Sequence, residues 1–283
     1  MTKLLSAGYR RLFRSAFFWI GLVAMCVYSL LAVVVTLEEK SFYPEMAAQY
    51  TSDLTLLPDL RVGVFAVGIL VALMIGREYS DKTLRNKIIV GHSRSAVYLS
   101  NLIVFCTAAA IWYAVPLFAV GLGAGWPLLG GFSLPATAFI LPAICQLLAL
   151  IGFTALFLLV ATAISNRTVA AVAILLLAIL LMALPLPLQQ ALEIPETTEE
   201  LVYEPETDSY VATGEMIPCA TYVRQPLRAV YQFLYHFLPG GQLEQSSPYN
   251  KTADMIHIPF WGLGFIAATT LCGLWIFRKK ELK

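Results

Sequence analysis

The sequence predicts an all-α integral membrane protein with six transmembrane helices, and three observations carry that prediction. Of 283 residues, 59% are hydrophobic and 13% charged, whereas about 25% of an ordinary soluble domain is charged, so a water-soluble fold of this size could not cover itself. The apolar residues gather in blocks long enough to cross roughly 30 Å of hydrocarbon at about 1.5 Å per residue. The basic residues collect beside alternate ends of those blocks, as the orientation rule for membrane proteins requires.

The chain reads as a single membrane domain, 1–283. Residues 1–16 form an N-terminal interfacial helix: Leu4, Leu5, Tyr9, Leu12 and Phe13 recur near helical spacing, with Lys3, Arg10, Arg11 and Arg14 around the rest of the circumference, the pattern of a helix lying on an anionic leaflet. The first span, 17–36, is uncharged and too long for a signal peptide, and the following Leu37-Glu38-Glu39-Lys40 offers no small-residue cleavage pattern. The second, 60–76, is short, and a snorkelling Arg61 together with the 54–57 stretch extends it. The remaining spans fall at 97–123, 134–164, 168–188 and 258–277. Pro116, Pro135 and Pro142 are expected to kink or break the third and fourth, which neighbouring helices can tolerate.

With both termini cytoplasmic, the inner segments hold Lys3, Arg10, Arg11, Arg14, Arg77, Lys82, Arg85, Lys87, Arg94, Arg167, Arg278, Lys279, Lys280 and Lys283 against Glu78, Asp81 and Glu281. The outer segments hold five basic and fifteen acidic residues. The largest outer loop, 189–257, opens with an acidic run (Glu193, Glu196, Glu199, Glu200, Glu204, Glu206, Asp208) expected to be irregular and solvated. Residues 227–238 (LRAVYQFLYHFL) then form an apolar, aromatic helix too short to cross, which dips into the membrane and returns before the sixth span. Its expected stop is Pro239-Gly240-Gly241. Four cysteines, 26, 106, 145 and 272, lie in apolar blocks as small hydrophobes; Cys219 alone sits in a polar region, so no intrachain disulfide is expected.

The inner loop between the second and third spans runs from Gly76 to Asn101. Asp81 can cap a short helix from Lys82 to about Val90, closed by Gly91. Leu84 and Ile88 share one face of it, flanked by Lys82, Arg85 and Lys87, so an apolar stripe is left in need of a partner.

Glu78 after the second span, Thr83-Leu84-Arg85, Ile88-Ile89-Val90, Ser93-Arg94, and Tyr98-Leu99-Ser100 opening the third span give a pattern that resembles the permease subunits of the ABC-2 type exporter family. That family often has Gly before the Thr, where this chain has Lys82, and Pro-Val before Ser-Arg, where it has Gly91-His92. The resemblance implies that the short inner helix is a cytosolic coupling helix that fits a groove of a separate ATPase subunit, with Glu78, Thr83, Leu84, Arg85 and Ile88 as the coupling residues. It also implies a second permease subunit, identical or related, and a bacterial plasma membrane location. ATP and Mg would be bound by the partner ATPase, with no cofactor in this chain.

No Gly-x-x-x-x-Gly-Lys-Ser/Thr occurs, so the chain has no P-loop to cradle ATP. His92, His236 and His257 are too scattered for metal spacing, no arrangement of side chains points to a catalytic site, and nothing points to nucleic acid. The sequons Asn166-Arg167-Thr168 and Asn250-Lys251-Thr252 are read as coincidence, the first lying inside. No span carries a titratable residue in its core, Gln146 being the most polar candidate, whereas ion-driven carriers need such groups. The expected function is therefore export of hydrophobic or amphipathic cargo, a peptide or antimicrobial, powered by a partner hydrolysing ATP. The runner-up is a non-transporting sensor or immunity component that binds peptide through the outer loop.

Overall fold

The computed structural model describes residues 1–45, 57, 60–130, 137–204, 209–246 and 255–280. Pro135, the 54–56 part of the second span's extension, Glu206, Asp208 and the Asn250 sequon lie outside them.

In chain order the helices are α1 (Thr2–Arg14), α2 (Ala16–Phe42), α3 (Arg61–Ser80), α4 (Thr83–Ile89), α5 (Arg94–Pro116), α6 (Thr137–Ala163), α7 (Arg167–Ala183), α8 (Pro185–Glu193), α9 (Leu227–Phe237), α10 (Pro239–Gln245) and α11 (Ile258–Lys279). Six helical stretches among the described residues are long and apolar enough to cross a membrane: Ala16–Phe42, Arg61–Ser80, Arg94–Leu129, Phe139–Ala163, Arg167–Glu193 and Met255–Lys279. At Pro116, which lacks the N–H of a regular turn, α5 passes into a π-helical stretch, Leu117–Gly125, and one further α turn, Trp126–Leu129.

The shortest span is the central one. α3 buries residues on all sides, among them Val64, Val67, Leu70, Val71 and Ile75, and packs on α2, α5, α6 and α7. An all-round apolar segment of this kind needs no polar face because protein surrounds it. By contrast α2, α7 and α11 leave Ile20, Val23, Leu31, Leu176, Leu180, Phe260 and Leu271 exposed, the surface expected to meet lipid tails.

Glycines set how closely the helices approach. A Cβ at Gly21 would lie 2.3 Å from the Trp112 ring, and one at Gly273 would lie 2.0 Å from the Tyr98 hydroxyl. Each thus forms a notch for a large aromatic of α5, the small-residue packing on which membrane helices rely. In the first notch Trp112 Nε1 donates to the Phe18 carbonyl at 3.1 Å.

One end of the bundle is basic. It gathers α1, the α3–α4–α5 connection, the α6–α7 turn and the end of α11: Arg167 lies against Gly76, Arg94 donates to the Arg278 carbonyl at 3.0 Å, and Lys280 donates to the carbonyls of Thr162 at 2.7 Å and Ala163 at 3.1 Å. A cation on the last carbonyls of α6 and another on those of α11 satisfy orphan acceptors and oppose the helix dipoles. Asn166 caps α7 by accepting from Thr168 N and Val169 N at 2.9 and 3.2 Å, which gives this sequon a structural role.

α1 does more than rest on a leaflet. Leu4, Gly8 and Leu12 are buried and the helix packs on α5, with Val104 filling the space a side chain at Gly8 would need. Tyr9 and Thr107 hydroxyls bond at 3.0 Å. The apolar stripe read as membrane-facing is thus partly consumed by the protein.

At the opposite end the described part of the acidic run is mostly in regular structure rather than irregular. Thr197–Glu204 (β1) pairs antiparallel with Ser209–Pro218 (β2). Thr197, Thr198, Val202 and Tyr203 are β-branched or aromatic residues that suit a strand, and the overall acidity masked that signal.

The α9 helix ends at Phe237, but Pro239-Gly240-Gly241 is not a simple turn. Pro239 is at the start of α10, where its missing N–H costs nothing, and α10 folds back against α6, α7 and α11. Pro239 lies against Gly152, near the midpoint of α6. This return leaves the end carbonyls of α9 inside an apolar bundle, where they must find donors. Gln242 Nε2 donates to the carbonyls of His236 and Phe237 at 3.1 and 3.0 Å, and Gln245 Nε2 to that of Tyr235 at 2.9 Å. Gln146 donates to the Ser246 carbonyl at 3.4 Å, so the most polar residue of the spans serves as a cap for α10.

Candidate functional site

The α3–α4 connection is built around one carboxylate. Glu78, in the last turn of α3, is 2% exposed. A negative charge at a helix C-terminus is disfavoured, and a buried one requires partners. Glu78 Oε1 takes Lys87 Nζ of α4 at 2.7 Å and pairs with Arg11 of α1. Oε2 accepts from Asn101 Nδ2 of α5 at 3.2 Å. One side chain thereby ties four helices together at the basic end.

The turn between α3 and α4 depends on Lys82, whose φ of 54° is left-handed. The α4 N-cap position is Lys82 and carries no side-chain cap, so Asp81 does not perform the capping expected of it. The Thr83 hydroxyl instead donates back to the Glu78 carbonyl at 3.2 Å. A left-handed residue with a Cβ costs about 1 kcal/mol that glycine avoids, which explains why Gly suits this position in the resembling family. Lys82→Gly is therefore expected to be tolerated or to stabilise by up to about 1 kcal/mol, as read by thermal unfolding. Gly91 has φ 99°, a value closed to proline, so the α4–α5 turn follows a path that a Pro-Val sequence could not. Ser93 then caps α5 by accepting from Ala96 N at 3.2 Å.

The five residues singled out from the sequence divide into two groups. Glu78 and Leu84 are buried, and Thr83 and Ile88 half-buried, so they hold α4 on the bundle; Arg85 is exposed. The apolar stripe of Leu84 therefore finds its partner within the chain, because Leu84 belongs to the main core. What α4 offers outward is Ile89, 70% exposed, and Val90, 78% exposed. Those two stand in the sequence motif, and Lys87 on the helix flank, but neither they nor the other Glu78 partners Arg11 and Asn101 are among the coupling residues the sequence suggests. Adjacent apolar residues on a short helix give no periodic signal, and Arg11 and Asn101 are distant in sequence.

Among the described residues no group of three or more His, Cys, Asp or Glu could hold a metal ion. All five cysteines are free. Cys219, after β2, has its thiol pulled below the ordinary range by a hydrogen bond with the Thr221 hydroxyl.

A family model described as ABC-2 family transporter protein matches residues 4–184, from α1 through α7 and including the whole Glu78 cluster. No curated protein matches the chain. With a match over more than half its length and six helices fit to cross a bilayer, the chain belongs to the ABC-2 family of transporter proteins as a multi-pass membrane protein.

Proposed function

We propose that the chain is the permease subunit of an ATP-driven exporter, with α4 as the cytosolic coupling helix held by a separate ATPase. The observation that carries this reading is the division of α4 into an inward anchor and an outward apolar tip. Leu84 and the Glu78–Lys87 pair fix it to α1, α3 and α5, while Ile89 and Val90 stand exposed beside Arg85 at the basic end. An exposed apolar pair flanked by cations suits insertion into a partner's groove. The basic end faces the cytosol by the orientation rule, in a bacterial plasma membrane.

A force on α4 reaches the spans without passing through a flexible loop, since Glu78 is continuous with central α3 and joins α1 and α5. Rigid-body displacement of this kind can switch a packed bundle between two arrangements. A second permease subunit would complete the pathway. The described spans carry buried Ser29, Thr36, Glu78, Ser100, Asn101, Gln146, Thr154, Thr162 and Thr269; Glu78 is held by Lys87 and Asn101, Gln146 caps α10, and the Thr36, Thr154, Thr162 and Thr269 hydroxyls donate to carbonyls one turn back. Such spans favour hydrophobic or amphipathic cargo, such as a peptide or antimicrobial, over an ion.

Ile89→Asp with Val90→Asp is expected to abolish co-purification of the ATPase while the permease still elutes as a single folded species. Undiminished association would overturn the docking assignment. Leu84→Asp is a poor probe of docking, because it buries a charge in the anchor and acts first on folding.

A further inference from the structure

A cavity of ≈ 450 Å³ opens between α1, the start of α2 and α3 at the basic end, and Arg10, Arg11, Arg14 and Arg77 line it together with Ser15. No acidic side chain lines it. Glu78 pairs with Arg11, but that carboxylate does not line the cavity and is shared with Lys87, so the positive charge around the cavity stays largely uncompensated.

Two buried polar atoms here have no hydrogen-bond partner: Ser15 Oγ and Arg11 Nε. Ser15 occupies the N-cap position of α2 yet its side chain caps nothing. The first turn of a 27-residue helix thus presents its positive end. Arg77 is held over the Phe17 ring at 5.4 Å, which fixes one guanidinium at the rim. A second recess, lined by Lys3, Ser6 and Arg10 among others, continues the basic trough along α1.

Unpaired buried donors are costly, and converging guanidiniums with a hydroxyl and a helix N-terminus are the donor set that a phosphate group satisfies. We infer that the cavity between α1 and α3 is a binding site for a phosphate-bearing anion. Because α2 enters its apolar stretch at Ala16, the cavity sits at the depth of the lipid headgroups, and the phosphate of an anionic phospholipid is the occupant the position favours. Arg11 touches both this cavity and Glu78, so an occupant would brace the carboxylate cluster beneath α4. The inference rests on α2 being a span and not on ATPase docking, so either reading can fail alone.

The test uses the purified full chain. Its thermal unfolding is followed in phosphatidylcholine vesicles with and without phosphatidylglycerol, and separately in detergent with millimolar inorganic phosphate. Binding of each probe is then compared for Arg14→Gln/Arg77→Gln and for Lys82→Gln/Lys279→Gln, which removes two exposed cations of the same end outside the cavity. The first pair is expected to weaken binding roughly 30-fold, from about a fivefold loss per basic residue, and the second pair to leave it nearly unchanged. Stabilisation by phosphatidylglycerol alone identifies a lipid headgroup, and equal stabilisation by inorganic phosphate identifies a soluble anion; either supports the site if the cavity variant removes it. Equal losses in both variants, or no loss in the cavity variant, would show only diffuse surface attraction and overturn the proposal.

Discussion

Glu78→Ala is expected to destabilise the protein by about 3 kcal/mol, the order found when one member of a buried ion pair is removed and its partner is left behind. The side chain is 1% exposed, whereas Lys87 is 21% and Arg11 34% exposed, so water compensates the orphaned cations only in part. The loss falls on four helices at once, because Glu78 also holds Asn101. Thermal unfolding of the purified protein measures it, and a double variant sharpens the reading. Removing the Lys87 charge in the same background, as Glu78→Ala/Lys87→Met, should recover part of the stability, since it deletes one unpaired cation. Simple additivity of the two single changes would mean that the residues are not coupled. ATPase stimulation by the permease should fall further than stability does if α4 moves through this cluster.

Gly240→Ala is the second large effect. A Cβ there would lie 1.8 Å from the Leu181 carbonyl oxygen, and at Gly241 2.0 Å from that of Tyr235. Both obstacles are backbone, so no rotamer change relieves them. The expected outcome is withdrawal of α10 from its seat on α7, with a loss of roughly 3 kcal/mol from overpacking and exposure of the caps made by Gln242 and Gln245. Gly264→Ala is the matched control: no atom lies within 4 Å of its added Cβ, and in an α-helix alanine is favoured over glycine by about 1 kcal/mol. Comparable melting temperatures for Gly240→Ala and Gly264→Ala would contradict the close packing of α10.

The spans were legible because lipid imposes a length and a composition on any segment that crosses it. The α9 helix could be read for the same reason, its aromatic run being too short to cross. The return helix α10 could not: Pro-Gly-Gly looks like punctuation, and only the proximity of the Leu181 and Tyr235 carbonyls explains why two glycines occupy a helix. The β1–β2 hairpin was hidden by acids that read as solvated coil, although Thr197, Thr198, Val202 and Tyr203 favour a strand. At the candidate site the motif around Thr83-Leu84-Arg85 drew attention to the segment that holds the Glu78 cluster, but burial of Leu84 reverses the direction its side chain was expected to face. Amphipathicity shows that a helix has an apolar side and is silent on whether the chain or a partner covers it. Likewise Glu78 was marked by its place after a span, while its tie to Arg11 spans sixty-odd positions that no local pattern connects.

The central claim is that α4 stands in the cytosol, on the side opposite Cys219. Cys219 has a thiol of lowered pKa and half-buried placement after the β1–β2 hairpin, so it serves as a native reporter for that side. Intact cells carrying Val90→Cys, in backgrounds with and without Cys219, are treated with a membrane-impermeant maleimide. Labelling of Cys219 before permeabilisation, and of position 90 only after it, is the predicted result. Modification of position 90 in unbroken cells would place α4 outside and contradict the account.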